Sequence, residues 1–253
     1  MSHKVTSWSP SRLEKYESCP QRFKLEALEK LCPHCYQGQL GGAWGEPQTC
    51  TRCHAVEEIP EPIARGTVLH KEIEVHILTG KPLGKDFKPH IKKIITALKK
   101  RNPIVEVNFV FTEGWKPTGK FTKGAWLRAN VDALVIDGDL ATVIDWKSGG
   151  VDKKTGAVRV EEKYDDQLEI YSIATLCARP QVNDVEANLV FLDAKTDPII
   201  SRGKVLRKDL PKLKAKYEKR IKALFSDTIF APRPSDKCRW CPFSKTMGGP
   251  CRF

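Results

Sequence analysis

The sequence predicts an α/β fold: a sheet flanked by helices, with two cysteine-rich segments standing apart from its core. Three observations lead there. Segments with apolar residues at helical spacing alternate with short runs of strand-like apolar character. Two of those runs are joined by Asp137-Gly138-Asp139, a hairpin signal. Seven of the nine cysteines fall in stretches with almost no periodic apolar pattern. The 253 residues, 40% hydrophobic and 29% charged, have a globular composition and suffice for one large domain or two small ones.

The first element is a helix opened by Ser9-Pro10-Ser11-Arg12-Leu13-Glu14. Pro10 suits a first helical position, and Ser11 with Glu14 has capping-box spacing. Pro20 ends or restarts this helix, and helical character resumes as far as Leu31. The stretch CPHCYQGQLGGAWGEPQTCTRCH then opens an insertion (32–60), rich in Gly and turn residues and folded around something other than a hydrophobic core. A helix over Gly66–Leu78 puts Leu69, Ile73 and Ile77 on one side. Another over 86–101 has Ile91, Ile94, Ile95 and Leu98 as its stripe, with Lys92, Lys93, Lys99, Lys100 and Arg101 facing elsewhere. Strands are expected at IVEVNFVF (104–111), AWLRANVDALVI (125–136), LATVIDWK (140–147) and VEANLVFL (185–192). Asp165 and Asp166 can cap a buried helix over 167–178, where Cys177 reads as a buried thiol packing as a small hydrophobe. A basic helix spans 209–226 with Leu213, Tyr217, Ile221 and Leu224 inward, and the tail after Pro232 is short of core residues. The boundaries follow: N-terminal helices to 31, the insertion at 32–60, an α/β core at 61–230 and a cysteine-rich segment at 231–253.

Lys and Arg outnumber Asp and Glu by 43 to 31, giving a net charge of +12. That excess fits a polyanionic partner, nucleic acid or an anionic membrane, or simply a basic soluble protein. No apolar run approaches the length that spans a bilayer, and Met1–Pro10 is too polar for a signal peptide. The expected location is therefore the cytoplasm, or the host cytoplasm for a viral protein, where cysteines argue for metal binding over disulfides. CPHC and CTRC, fourteen residues apart, have zinc-ribbon spacing: Cys32, Cys35, Cys50 and Cys53 would close a tetrahedral Zn²⁺ site that substitutes for a core. His34 and His54 adjoin them and could replace a thiolate. Cys238, Cys241 and Cys251 form a C-x2-C-x9-C set that needs a fourth ligand, for which Cys19 in SCPQRF is the candidate.

Alternate strand residues share a face, so in LATVIDWK Asp145 and Lys147 point one way and Ile144 and Trp146 the other. An isolated Asp-x-Lys reads most simply as an ion pair. Here the hairpin brings Asp132 of the preceding strand alongside. Two carboxylates on a partly buried sheet are costly unless a cation neutralises them, and a hard ion such as Mg²⁺ or Mn²⁺ answers that need. Metal, activated water and a lysine ammonium are also what phosphodiester hydrolysis requires.

Together these pieces resemble the RecB-like branch of the PD-(D/E)XK nucleases, which includes CRISPR-associated exonucleases and many phage nucleases. SPSRLEKYESCPQRF (9–23) is similar to the family's opening helix and GTVLH (66–70) to its metal-binding helix motif. NVDALVIDGDLATVIDWKSG (130–149) is similar to its core hairpin and QLEIY (167–171) to its Q-x-x-x-Y helix. The order is the family's, from about residue 9 to the C-terminus, with 32–60 inserted. The resemblance implies a central mixed sheet and a metal-dependent DNA nuclease, an exonuclease of recombination, repair or phage DNA processing. It further implies single- or double-stranded DNA read without sequence preference, and partner proteins of a recombination or replication machinery. Residue by residue, His70, Asp132 and Asp145 would ligate Mg²⁺ or Mn²⁺ together with the Trp146 carbonyl, and Lys147 would be the catalytic lysine. Gln167 and Tyr171, at i and i+4 on one helix face, would contact Lys147 or a phosphate. Glu106 matches a further acidic position, a solvated strand residue being the alternative. Asn130 departs from the glycine that relatives carry two positions before the first aspartate. Those relatives that carry a 4Fe–4S cluster hold it with one N-terminal and three C-terminal cysteines, so the resemblance implies such a cluster at Cys19, Cys238, Cys241 and Cys251; a second Zn²⁺ is the rival. The competing functions are a non-catalytic nucleic-acid-binding protein, against which the intact His70, Asp132, Asp145 and Lys147 argue, and a nuclease of RNA or flapped structures.

Overall fold

The computed structural model describes residues 4–42, 46–159 and 163–253. It divides into two compact units, Met1–Pro60 with Glu218–Phe253, and Glu61–Tyr217. The contiguous segments expected from the sequence thus regroup: the N-terminal helices, the insertion and the cysteine-rich tail form one unit.

In the first unit, α1 (Pro10–Ser18) carries Pro10 at its first turn, but its cap is Ser9, whose side chain accepts from the Arg12 N–H at 3.3 Å. This corrects the capping box expected from Ser11 and Glu14. The Ser9 backbone is extended, as a cap requires, and Ser11 is already helical. Extended backbone at Cys19 separates α1 from α2 (Pro20–Phe23), and a π-helical turn, Lys24–Leu28, continues it. Trp8, Leu13 and Phe23 are fully buried. Tyr16 meets Phe23 edge-on and Phe23 stacks on Phe230, so the two ends of the chain share this core. Tyr16 also donates to Asp227 Oδ2 at 2.9 Å, and Arg220 pairs with Glu17 at 2.6 Å. The insertion holds a small antiparallel sheet, β1 (Leu40–Gly41), β2 (Gln48–Cys50) and β3 (Val56–Glu57).

The second unit starts with α3 (Glu61–Thr79) and α4 (Pro89–Lys99). Leu69, Ile73 and Ile77 of α3 and Ile91, Ile95 and Leu98 of α4 pack on Ala133, Val135, Ile144, Trp146 and Val190 of the sheet. That sheet comprises β4 (Ile104–Thr112), β5 (Lys116–Pro117), β6 (Leu127–Asp137), β7 (Leu140–Lys147), β8 (Asp184–Phe191) and β9 (Ile199–Leu206), in the order β5-β4-β6-β7-β8-β9. It is mixed: β7 and β8 are parallel, joined through α5 (Lys163–Ala178), and the other pairs are antiparallel. β6 and β7 meet in a two-residue turn, with Gly138 at φ 64° at its first position, where glycine tolerates what other residues resist.

Several expectations need correction. α5 begins at Lys163, so Asp165 and Asp166 lie in its first turn, favourable to the helix dipole, and do not cap it. Cys177 is only half buried, because it stands in the last turn of α5. In α6 (Leu210–Ser226), Tyr217, Ile221 and Leu224 are buried but Leu213 is half-exposed. In α4 the basic face is partly spent on the fold. Lys92 Nζ donates to the Leu83 carbonyl (3.1 Å) and Lys99 Nζ to the His76 carbonyl (3.0 Å).

Candidate active site

The site forms where the β6–β7 hairpin opens. Paired residues run from Asp137↔Leu140 to Ala133↔Ile144, and beyond them the strands part. The Trp146 N–H is then taken by Asp132 Oδ2 at 2.7 Å, so a side chain continues what the ladder leaves off. Strand alternation sends Ile144 and Trp146 into the helix-covered core and Asp145 to the other face. Lys147 Nζ lies 2.6 Å from Asp145 Oδ2, yet this buried oxygen accepts no aligned hydrogen bond.

Gln167 of α5 bridges the pair. Its Oε1 accepts from Lys147 Nζ at 2.9 Å, while its Nε2 donates to Asp145 Oδ1 at 3.0 Å and to the Tyr171 hydroxyl oxygen at 2.8 Å. Burial pushes the Asp145 carboxyl up to about 6, with Lys147 pulling it down and Asp132 pushing it further up. Burial and then the Asp145 charge raise the Tyr171 phenol well above its ordinary value.

His70 of α3 comes in from the opposite side, its Nδ1 3.4 Å from Asp132 Oδ1. Burial works to lower its pKa, but Asp132, Asp145 and Glu106 outweigh that and leave it raised. The glycine of GTVLH has a steric reason. A Cβ at Gly66 would come within 2.7 Å of Ser148 Oγ, so the glycine leaves room for the Ser148 hydroxyl beside α3. Arg65 holds that approach with a two-pronged ion pair to Asp193 (2.7 and 2.8 Å) and a bond to the Ser148 carbonyl.

Glu106 sits between Val105↔Ala133 and Val107↔Val131, hence across from Asp132. Its φ of 51° is left-handed, a conformation that costs a non-glycine residue of order ~1 kcal/mol and concentrates at functional sites. Partial desolvation, then Asp132 and Glu74, raise its pKa. Sequence reasoning missed Glu74, one turn beyond His70 on α3, and Tyr164, whose ring lies 5.0 Å from Lys147 Nζ. Tyr164, Gln167 and Tyr171 at helical spacing were the available signal for the latter. Arg65 had none, since Asp193 is remote in sequence.

Both cysteine sets lie in the first unit. The sulfurs of Cys32, Cys35, Cys50 and Cys53 all fall within 4.8 Å of one another, a group that could hold a metal ion. Tetrahedral zinc with Zn–S near 2.3 Å gives S···S edges of about 3.8 Å; Cys32–Cys53 is 3.8 Å and Cys35–Cys50 is 3.7 Å. Backbone N–H groups of His34, Gly38, Arg52 and Cys53 point at these sulfurs. The Cys53 N–H, against burial and helped by Arg52, pulls the Cys50 thiol down to about 6. A Cβ at Gly38 would stand 2.4 Å from Cys50 Sγ, so that glycine makes room for the sulfur. His34 pairs with Glu57, and His54 is exposed in a left-handed conformation. Cys19, Cys238, Cys241 and Cys251 line one cavity with Gln21, Arg22 and Phe243.

Carboxylates, an imidazole and a lysine, the residue types of the acid–lysine class, thus meet on one mixed sheet. A family model for the PD-(D/E)XK nuclease superfamily matches residues 7–246, and the chain belongs to that superfamily. Nucleic acid is accordingly its substrate class. Similar solved structures include SSO0001 (16% identity, TM-score 0.43, covering 99% of this chain and 89% of that one). They also include an exonuclease candidate from Eubacterium rectale (13%, 0.47, 93% and 88%). A third is the alkaline exonuclease LHK-Exo from Laribacter hongkongensis (15%, 0.34, 87% and 92%). No curated protein matches the chain. Among the described residues, no helix is long and apolar enough to cross a membrane.

Proposed function

We propose that this chain is a DNA nuclease that digests from ends, using Mg²⁺ or Mn²⁺ at Asp132, Asp145 and His70. The observation that carries the reading is the Gln167 bridge between Asp145 and Lys147 beside a second carboxylate. A buried carboxylate oxygen with no aligned hydrogen bond, the Asp132 carboxylate and an imidazole are the donors a hard divalent cation takes, with the Trp146 carbonyl as a further ligand. When bound, the cation supplies Lewis-acid polarisation of the phosphoryl oxygen and a water of lowered pKa. The chain's own residues do the rest. Lys147, steadied by Gln167 and the Tyr164 ring, orients the attacking water and stabilises charge on the phosphate. Tyr171 fixes the Gln167 amide, and Glu106 stands beside Asp132 as an additional acidic group.

The +12 charge supports phosphate contacts without base reading, consistent with an exonuclease of recombination, repair or phage DNA processing in the cytoplasm, working with partner proteins of such a machinery. In the first unit, the S···S edges support Zn²⁺ at Cys32, Cys35, Cys50 and Cys53. Cys19, Cys238, Cys241 and Cys251 line one cavity, which supports a second thiolate-ligated centre, a 4Fe–4S cluster with a second zinc as its alternative. Digestion of end-labelled single- and double-stranded DNA and of RNA, with Mg²⁺, Mn²⁺ or EDTA, tests the reading. Metal-dependent loss of nucleotides from DNA ends is expected; cleavage of RNA alone, or of nothing, overturns it.

A further inference from the structure

The loop between β5 and β6 carries a feature the active site leaves unexplained. From Lys116 to Arg128 the chain reads KPTGKFTKGAWLR, with four cations and no acidic residue. The Thr122 N–H donates to the Gly119 carbonyl at 3.1 Å, closing a turn with Lys120 and Phe121 at its two central positions. The Ala125 N–H closes a second turn on the Thr122 carbonyl at 3.2 Å, and Arg128 donates to the Lys120 carbonyl at 2.6 Å. The loop is therefore braced, yet Phe121 at its tip is 92% exposed, more than any other large hydrophobic among the described residues. The Lys120 ammonium lies 5.8 Å from its ring. A hydrogen-bonded turn that holds an aromatic face in water beside a lysine does nothing for the core.

Its place in the fold is informative. β6 leaves this loop at Leu127 and reaches Asp132 five residues later, about 17 Å away at the rise of a strand. β7 runs antiparallel to β6 and so delivers Lys147 toward the same end of the sheet. α5, which carries Gln167 and Tyr171, packs against β5 at the root of the loop.

We propose that Phe121 is a stacking platform for an unpaired base of single-stranded nucleic acid, with Lys120 and Lys123 holding the flanking phosphates, a few nucleotides from the bond presented to Asp145 and Lys147. The proposal rests on the nuclease reading above and adds a preference to it. Bases in a duplex already cover one another's faces, so this contact selects strands that are unpaired where they cross the loop.

The test is binding in EDTA to an oligothymidylate and to an abasic oligomer of equal length, which has the phosphates without the bases. Phe121→Ala removes a side chain that supports nothing else. It should weaken oligothymidylate binding roughly 5- to 150-fold and leave the abasic oligomer unaffected. Phe121→Trp should keep the affinity, with emission lost on binding beyond that of the parent. If Phe121→Ala binds oligothymidylate as the parent does, or loses both oligomers equally, the platform is refuted while the nuclease reading stands. A parent protein that binds neither oligomer and cleaves no nucleic acid refutes both.

Discussion

Gln167→Leu isolates the bridge at the centre of the site. The substitution nearly conserves volume but deletes three hydrogen bonds, to Lys147 Nζ, Asp145 Oδ1 and the Tyr171 hydroxyl. Asp145 is 4% exposed, so the variant strips its Oδ1 of the Gln167 donor and leaves the buried carboxylate to Lys147, 2.6 Å from Oδ2. An unsatisfied buried acceptor costs about 1–3 kcal/mol, and at this chain length each kcal/mol lowers Tm by about 2–4 °C. The expected fall is thus a few degrees to about ten. Catalysis should suffer more. With Lys147 no longer fixed, kcat should drop about 10- to 100-fold, less than the loss on deleting a transition-state donor outright, while KM holds. Single-turnover cleavage of an end-labelled oligonucleotide with Mg²⁺ or Mn²⁺, beside a thermal melt, reads both effects. Gln167→Glu should be harsher on stability, because it retains an acceptor for Lys147 but turns a carboxylate oxygen toward Asp145. Wild-type kcat and Tm in Gln167→Leu would refute the bridge as a positioning device.

Asp145→Ala and Lys147→Ala should each abolish cleavage while DNA binding, measured in EDTA, survives; a folded variant with the parent rate would remove these residues from the chemistry. DNA binding should weaken steeply with salt and vary little with sequence. Because Lys92 and Lys99 already serve carbonyls, Lys93→Ala with Lys100→Ala should reduce the log–log salt slope by about 1–2, and Lys92→Ala should act mainly on stability. An unchanged slope in the double variant would move the phosphate contacts off α4.

The central hairpin was legible because its determinants are local. A period of two puts Asp145 and Lys147 on one face, and Asp137-Gly138-Asp139 brings Asp132 alongside. The partners of Gln167 and Tyr171 were half legible: the shared helix face was readable, but which group each would bond depended on the α5 crossover. β9 was missed because it is an edge strand whose alternation is broken by charges, by Gly203 at φ 84° and by a bulge near Glu186. The left-handed backbone of Glu106 left no mark in IVEVNFVF. The carbonyl partners of Lys92 and Lys99 in α4 were not legible, for a general reason. Helical spacing shows which way a side chain leaves the helix, but not that a carbonyl of α3 or of the loop before α4 waits at its end.

The cysteines yield a prediction independent of the nuclease chemistry. All eight candidate ligands belong to Met1–Pro60 or Glu218–Phe253, whereas His70, Glu106, Asp132, Asp145, Lys147, Gln167 and Tyr171 belong to Glu61–Tyr217. The ribbon has strands of two or three residues, too little sheet to stand without its ion, and zinc supplies about 10–16 kcal/mol to comparable small sites. Cys50→Ala should therefore release zinc and loosen β1–β3 while leaving the visible colour of the second set. Cys238→Ala should bleach that colour and loosen the contacts by which the two ends of the chain meet, such as Tyr16 with Asp227. Metal analysis of protein purified without air should find iron and zinc together. A colourless protein holding two zinc ions and no iron would make the second set a zinc site. Nuclease activity would be untouched by that outcome, since no residue proposed to act on the phosphodiester is a cysteine.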